Sequence, residues 1–151
     1  MENICIKEVI LHKNEARFGI YVPQDDSKSL KNDILQALAG VNLDIITQNP
    51  PKDECVQFFI SSSDKNTQQI SEILQNLQVK FTLDQGLDKL SILGIGVKTN
   101  IAVLYGVLML LNENGIPIVT VSTSEVKISL LVKHSGEAAR DLLQGFAHKN
   151  S

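Results

Sequence analysis

Gly94-Ile95-Gly96-Val97-Lys98-Thr99 gathers two glycines, a lysine and a hydroxyl within six residues, the ingredients of a loop that wraps a phosphate. The spacing excludes it. A phosphate loop needs four residues between its first glycine and the Gly-Lys pair, so that successive backbone N–H groups close around the anion. His12, His134 and His148 carry imidazole nitrogens that could ligate a metal, but they are scattered, with no i, i+4 pair and no cysteine at ligand spacing, so no metal site is expected. Cys5 and Cys55 lie in apolar runs without CxxC spacing and read as small buried hydrophobes rather than a zinc site or a disulfide. No nucleophile and general base stand at a recognisable spacing, so neither a catalytic residue nor a cofactor is expected. Two polar clusters remain. Asp25 and Asp26 suit a turn that enters a helix, and Ser122, Thr123, Ser124 and Glu125 suit a hairpin turn whose side chains bond the local backbone. Either cluster could instead present polar groups to a ligand.

The composition narrows the partners. The 151 residues carry a formal net charge of −3 with Lys and Arg dispersed among Asp and Glu, so no basic stripe offers counterions to a phosphate backbone and nucleic acid is not an expected partner. Residues 1–11 mix Glu2, Lys7 and Glu8 into an apolar run, which is neither a signal peptide nor a spanning helix. No membrane is expected, and the protein should be soluble and cytoplasmic.

The elements that position the two clusters follow from hydrophobic period. Residues 17–22 alternate, with Phe18, Ile20 and Val22 on one side and Arg17, Gly19 and Tyr21 on the other, which predicts a half-buried strand. After a polar stretch, Ser29 can cap a helix with Leu30, Ile34, Leu35 and Leu38 on one face and Gly40 at its end. Residues 41–47 read as a second strand, Pro50-Pro51 breaks the chain, and Val56, Phe58 and Ile60 alternate with Gln57 and Phe59 in a third. Asp64 then caps a helix bearing Ile70, Ile73, Leu74 and Leu77, and Val79, Phe81 and Leu83 close the series as a strand. The order is βαββαβ.

A second series follows. It has a strand at 89–95, an Asn100-capped helix ending at Asn114-Gly115, strands at 118–121 and 126–132, and a Ser135-capped helix turning Ala138, Ala139, Leu142, Leu143 and Phe146 inward. Residues 41–49 overlay 116–124 at an offset of roughly 75, the length of a small domain rather than of a solenoid repeat. The second series lacks its fourth strand, whereas 4–11 is an apolar strand-like segment without a module. We therefore expect one module at 13–84, inserted into another built from 1–12 plus 85–151, the N-terminal strand covering an open sheet edge. A swapped or merely flanking strand is the alternative. The helix at 101–111 is apolar nearly all round, with Leu104, Leu108 and Leu111 on one face and Val103, Val107 and Leu110 on another. Too short to span a bilayer, it suggests either a homodimer contact or a deep core helix. The same βαββαβ order occurs in RNA-recognition folds, which place aromatic residues with basic neighbours on the central strands. Here Phe58 and Phe59 are the only adjacent pair, and the acidic balance argues against RNA.

The run VSTSEVKISLLV at 121–132, with LSILGIGVK at 90–98, LDIITQN at 43–49 and VILHKNEARFGIYV at 9–22, resembles the paired ACT domains of the regulatory part of aspartate kinase. The likeness covers nearly the whole chain, with its motifs in the family's order and separation. It implies an α+β fold of two ferredoxin-like βαββαβ modules, each an antiparallel sheet with its helices on one face. It also implies feedback sensing: an end-product amino acid, lysine or threonine, binds the pair and holds a dimer that inhibits the kinase. The family's effector contacts map onto the first turn at Asp25 or Asp26, onto Gln48 and Asn49, and onto Ile118 with Ser122, Thr123, Ser124 and Glu125. The implied partner is an aspartate kinase catalytic domain or subunit, which these residues do not include, so a separate regulatory subunit or an excised piece is expected. The sequence departs from the family at both turns. Asp25-Asp26-Ser27-Lys28 replaces Asp-x-Pro-Gly, Asn100-Ile101-Ala102 replaces His-Pro-Gly, and Pro117 stands for the usual asparagine. Loss of both turn glycines puts a Cβ where a ligand would approach the backbone. A free-standing pair with a different ligand, or with ligand binding lost, is therefore the alternative.

Overall fold

A computed structural model of the chain describes residues 5–23, 27–48, 55–95, 101–124 and 126–149. They form β1 (Cys5–Pro23), α1 (Ser27–Ala37), β2 (Leu43–Gln48), β3 (Cys55–Ser63), α2 (Thr67–Asn76), β4 (Lys80–Ile95), α3 (Ile101–Glu113), β5 (Ile118–Thr123), β6 (Lys127–Lys133) and α4 (Gly136–Lys149). The strands are hydrogen-bonded in the order β2-β3-β1-β4-β6-β5. The chain divides into two compact units, Asn14–Gly86 and Met1–Lys13 with Leu87–Ser151. The fold is α+β, with antiparallel strands and four helices.

In the unit Asn14–Gly86 the alternation read from the sequence becomes a core. Ala16, Phe18, Ile20 and Val22 of β1 are fully buried, and β3 sets Ile60 opposite Phe18 and Phe58 opposite Ile20. Helix α1 adds Ile34, with Leu38 just past its end, and α2 adds Ile70 and Leu74, each pair four residues apart. In the other unit β4 and β6 pair Leu90 with Leu130 and Ile92 with Ile128. Helix α3 covers them with Val103, Val107 and Leu111, α4 adds Ala139 and Leu143, and Ile6 of β1 joins the same cluster.

Several elements differ from the sequence reading. The separate strands expected at 4–11 and 17–22 are one 19-residue strand. Those expected at 79–83 and 89–95 are likewise one strand of 16 residues. The intervening residues lack apolar alternation and so read as connectors, but backbone pairing does not need apolar side chains. Helix α1 already begins at Ser27, which leaves Ser29 inside its first turn, and Gly40 takes no left-handed conformation. Asp64 opens a 3₁₀ turn, Asp64–Asn66, and α2 begins only at Thr67. Val126 is exposed and precedes β6, and Ala138 faces outward beside the buried Ala139. On α3 the fully buried row is Val103, Val107 and Leu111, while Leu104 and Leu108 pack half-buried against the same core. The expected end of α3 at Asn114-Gly115 agrees with the geometry: Gly115 has φ +70° and Ile116 N–H donates to Leu111 C=O at 3.0 Å. Asn100, Pro50 and Pro51 lie outside the described residues.

The start of α4 is held by a residue far away in sequence. Gly136 N–H donates to Asp88 Oδ2 at 3.0 Å, so a buried carboxylate on β4 serves one of the helix's orphan donors. A Cβ at Gly136 would stand 2.6 Å from Asp88 Cβ and Oδ2 and 2.7 Å from Leu11 Cδ1, so glycine is required by space. Gly145, in the same helix, would meet nothing within 4 Å. Gly136→Ala is expected to cost about 1–3 kcal/mol in urea unfolding through overpacking and loss of the cap. Gly145→Ala should stabilise by about 0.5–1 kcal/mol through helix propensity. Equal effects of the two would contradict the packing described.

Candidate functional site

The residues proposed to contact a ligand fall into three groups. Asp25, Asp26, Asn49 and Glu125 lie outside the described residues. Gln48 is the last residue of β2 and pairs with Phe58. The others belong to β5 and its turn. Ser122 is half-buried opposite Ser129, and Thr123 is exposed opposite Ile128. Ser124 closes the β5–β6 turn: its N–H donates to Lys127 C=O at 2.8 Å, and its hydroxyl reaches the same oxygen at 3.5 Å. The turn role read from the sequence is thus satisfied at Ser124.

Ser122, Thr123 and Ser124 cluster at one end of β5. Ile118 opens the strand at its other end, roughly 17 Å away at the usual rise, opposite Val132 and packed on the core. Pro117 immediately before it is exposed and offers no N–H. Gln48 belongs to the unit Asn14–Gly86, and the β5 residues to the other.

Sequence reasoning missed the charged groups that organise both units. Arg17 donates from Nε at 3.2 Å and from a terminal nitrogen at 2.8 Å to Asp84 Oδ2, and its guanidinium lies 4.7 Å above the Phe59 ring. Lys80 sits 5.8 Å over Tyr21 on the same strand set. In the other unit Lys13 Nζ donates to Glu137 Oε1 at 2.9 Å. That bond and the accompanying charge attraction hold the Glu137 carboxyl below its ordinary 4.5 and the Lys13 ammonium above its ordinary 10.5. No local signal could reveal these pairs, because their members are separated by 67 and 124 positions. Among the described residues no group of three or more His, Cys, Asp or Glu could hold a metal ion. His12, His134 and His148 are all exposed.

No protein-family model matches the chain. The aspartokinase of Geobacillus stearothermophilus is 38% identical over 120 residues, which is 75% of this chain and 29% of that protein. The aspartokinase of Helicobacter pylori strain 26695 is 28% identical over 149 residues, 94% of this chain and 36% of that one. The chain therefore spans about a third of the length of these relatives. Among solved structures, the ligand-free regulatory subunit of aspartate kinase from Thermus thermophilus superposes with a TM-score of 0.80 at 24% identity, covering 97% of this chain and 98% of that one. A structure of aspartokinase alpha and beta subunits matches with a TM-score of 0.77 at 26% identity, over 96% and 99% of the two chains. Aspartokinase III of E. coli in complex with lysine and aspartate shares the fold, with a TM-score of 0.70 at 17% identity over 96% of this chain and 34% of that one. No helix among the described residues is long and apolar enough to cross a membrane.

The Lys13–Glu137 pair sets a measurable pH dependence. Because the folded Glu137 carboxyl is depressed, its contribution is present above the ordinary carboxylate range and lost as pH falls through the lowered value. Because Lys13 is raised, its contribution is present below the ordinary lysine range and lost as pH rises through the raised value. The difference in melting temperature between the wild type and Glu137→Gln should therefore be small and constant near neutrality and shrink in strong acid and strong alkali. A difference that grows on acidification would show that the pair does not act as described.

Proposed function

This chain has the regulatory, tandem ACT-domain architecture of the aspartate kinases, and from that premise we propose that it senses an end-product amino acid, lysine or threonine, and feeds its level back onto a kinase catalytic domain or subunit. The observation that carries the proposal is the 38% identity to part of an aspartokinase, with nearly complete mutual coverage of a chain that is itself a regulatory subunit of aspartate kinase. One solved relative of the same fold holds lysine and aspartate. In this reading the module at 13–84 and the module formed by 1–12 plus 85–151 act as a pair.

The physical route is a population shift. Among the described residues, strands β2 and β5 lie at the two ends of the strand order, where a further strand can pair. A second copy of the chain pairing along these edges would make a homodimer. The effector contacts that the resemblance names in the two modules include residues of these strands. An amino acid bound there needs acceptors for its ammonium and donors for its carboxylate, which turn backbone and Asp25 or Asp26 would supply. It regulates only as far as it binds one arrangement better than the other.

A second reading is favoured by one specific feature. Both ligand turns lack glycine and Pro117 removes a backbone donor, so the pair could serve assembly with ligand binding altered or lost.

Titration calorimetry of the purified chain against lysine, threonine and methionine separates the two. Saturable heat is expected with lysine or threonine, weakened about tenfold by Gln48→Ala, the worth of one hydrogen bond to a charged group. Silence with all three, in a chain that sediments as a dimer, would leave only the assembly role. A concentration-independent monomer would remove the edge-paired dimer.

A further inference from the structure

Of the chain's asparagines only Asn114 precedes a glycine. The pair closes α3: Asn114 and Gly115 follow its last helical residue, Glu113, and both are exposed. Gly115 has φ +70°, and a Cβ built on it would meet nothing within 4 Å, so the left-handed backbone and not space calls for glycine here. Without a Cβ, Gly115 leaves its own backbone nitrogen open to the side chain before it. An asparagine amide in that position is an electrophile for the nitrogen that follows it.

Two hydrogen bonds oppose the reaction in the folded chain. Asn114 Nδ2 donates to Leu110 C=O at 2.8 Å, which serves one of the orphan carbonyls in the last turn of α3. Gly115 N–H donates to Asn112 C=O at 3.1 Å. The leaving group and the nucleophile are therefore both engaged, but at a helix end, and such ends open at far lower free energy than a core does. The next residue is fixed, since Ile116 is buried and its N–H donates to Leu111 C=O at 3.0 Å.

We propose that Asn114 is a site of spontaneous deamidation, gated by opening of the α3 terminus. In the opened turn the Gly115 nitrogen, its proton lost to solvent base, attacks Asn114 Cγ. The N–Cγ bond forms, the Cγ–Nδ2 bond breaks, and Nδ2 takes up a proton and departs as ammonia, leaving a cyclic imide with no change of oxidation state. Water then opens the ring. Addition at Cγ gives aspartate, and addition at the backbone carbonyl gives isoaspartate, in which the chain runs through the former side chain. Either product puts a carboxylate where an amide had donated to Leu110 C=O, at the negative end of the helix dipole. The cap is lost, and repulsion takes its place. The site uses no residue named as an effector contact and is independent of whether an amino acid is bound.

The test is mass mapping of the full chain after incubation at mildly alkaline pH, native and unfolded in guanidinium chloride. Exchange of nitrogen for oxygen at Asn114 is expected in both, about tenfold slower in the native chain because the hydrogen bonds must first break. Asn114→Gln, whose amide would have to close a larger ring, should suppress the reaction at this position and melt close to the parent. Asn114→Asp should melt about 2–4 °C lower, as loss of one capping hydrogen bond does in a chain of this size. No reaction at Asn114 in the native chain by the time the unfolded chain has reacted completely would overturn the proposal. So would equal rates in the two states, or an Asn114→Asp chain that melts with the parent.

Discussion

A β-strand turns alternate side chains to opposite faces, and β1 and β4 must each do this for two cores in succession. On β1 the residues of one core are Ile6, Val9 and Leu11, at mixed even and odd positions. Those buried in the second are Ala16, Phe18, Ile20 and Val22, at even positions. On β4, Val79 before it and Phe81 within it pack against one core at odd positions, Leu90 and Ile92 against the other at even positions. A slip of one residue moves every side chain of a strand to its other face, so the backbone between the two sets of residues decides what each core receives. Both strands depart from extended backbone there. Asn14 has φ 59° and Gly86 has φ 72°, each lying between the two sets of core residues and at the boundary of the units. Asn and Gly are the residue types that bear this conformation at least cost.

That constraint explains what the sequence could and could not reveal. Each half of β1 and of β4 is rich in apolar residues, so the strands were legible as separate elements. Their continuity was hidden because residues 12–15 and 84–88 carry no apolar alternation. Helices α1, α2 and α4 were legible because one stripe of apolar residues meets one core. Their starts were less so. Asp64 has the residue type of a cap yet opens a 3₁₀ turn, while α4 takes its cap from Asp88, 48 positions upstream. Serine, aspartate and asparagine advertise a cap only when the acceptor is local.

The candidate site was legible in a different way. Gln48, Ile118 and Ser122 to Ser124 could be singled out only because the surrounding motifs resemble a family, since turn hydroxyls and amides bond the backbone more often than a ligand. Ser124 illustrates the ambiguity, as its N–H and hydroxyl both serve the β5–β6 turn. The Arg17–Asp84 fork and the Lys13–Glu137 pair had no sequence signature because ion pairs carry no periodicity. Helix α3 lies between these cases. Its apolar residues leave no polar face from which to read an orientation, and its approach to α4 is set by Gly106, where a Cβ would stand 2.9 Å from the Phe146 ring. Close approach at one glycine, rather than the spread of leucines, decides which row of α3 is buried.

The two ends of the strand order follow from the same economy. Strands β2 and β5 have six residues each and begin and end 75 positions apart, Leu43 against Ile118 and Gln48 against Thr123, whereas β1 has 19 residues. Each also carries a register shift against its neighbour, between Ile45 and Thr47 in β2 and between Ile118 and Thr120 in β5. Short, bulged edges resist indiscriminate pairing, because an incoming strand finds few consecutive donors and acceptors and a local twist that it must match. The two shifts fall at different places of the repeat, since Ile45 and Thr47 correspond to Thr120 and Ser122 at the offset of 75, so the two edges share their length and not their irregularity.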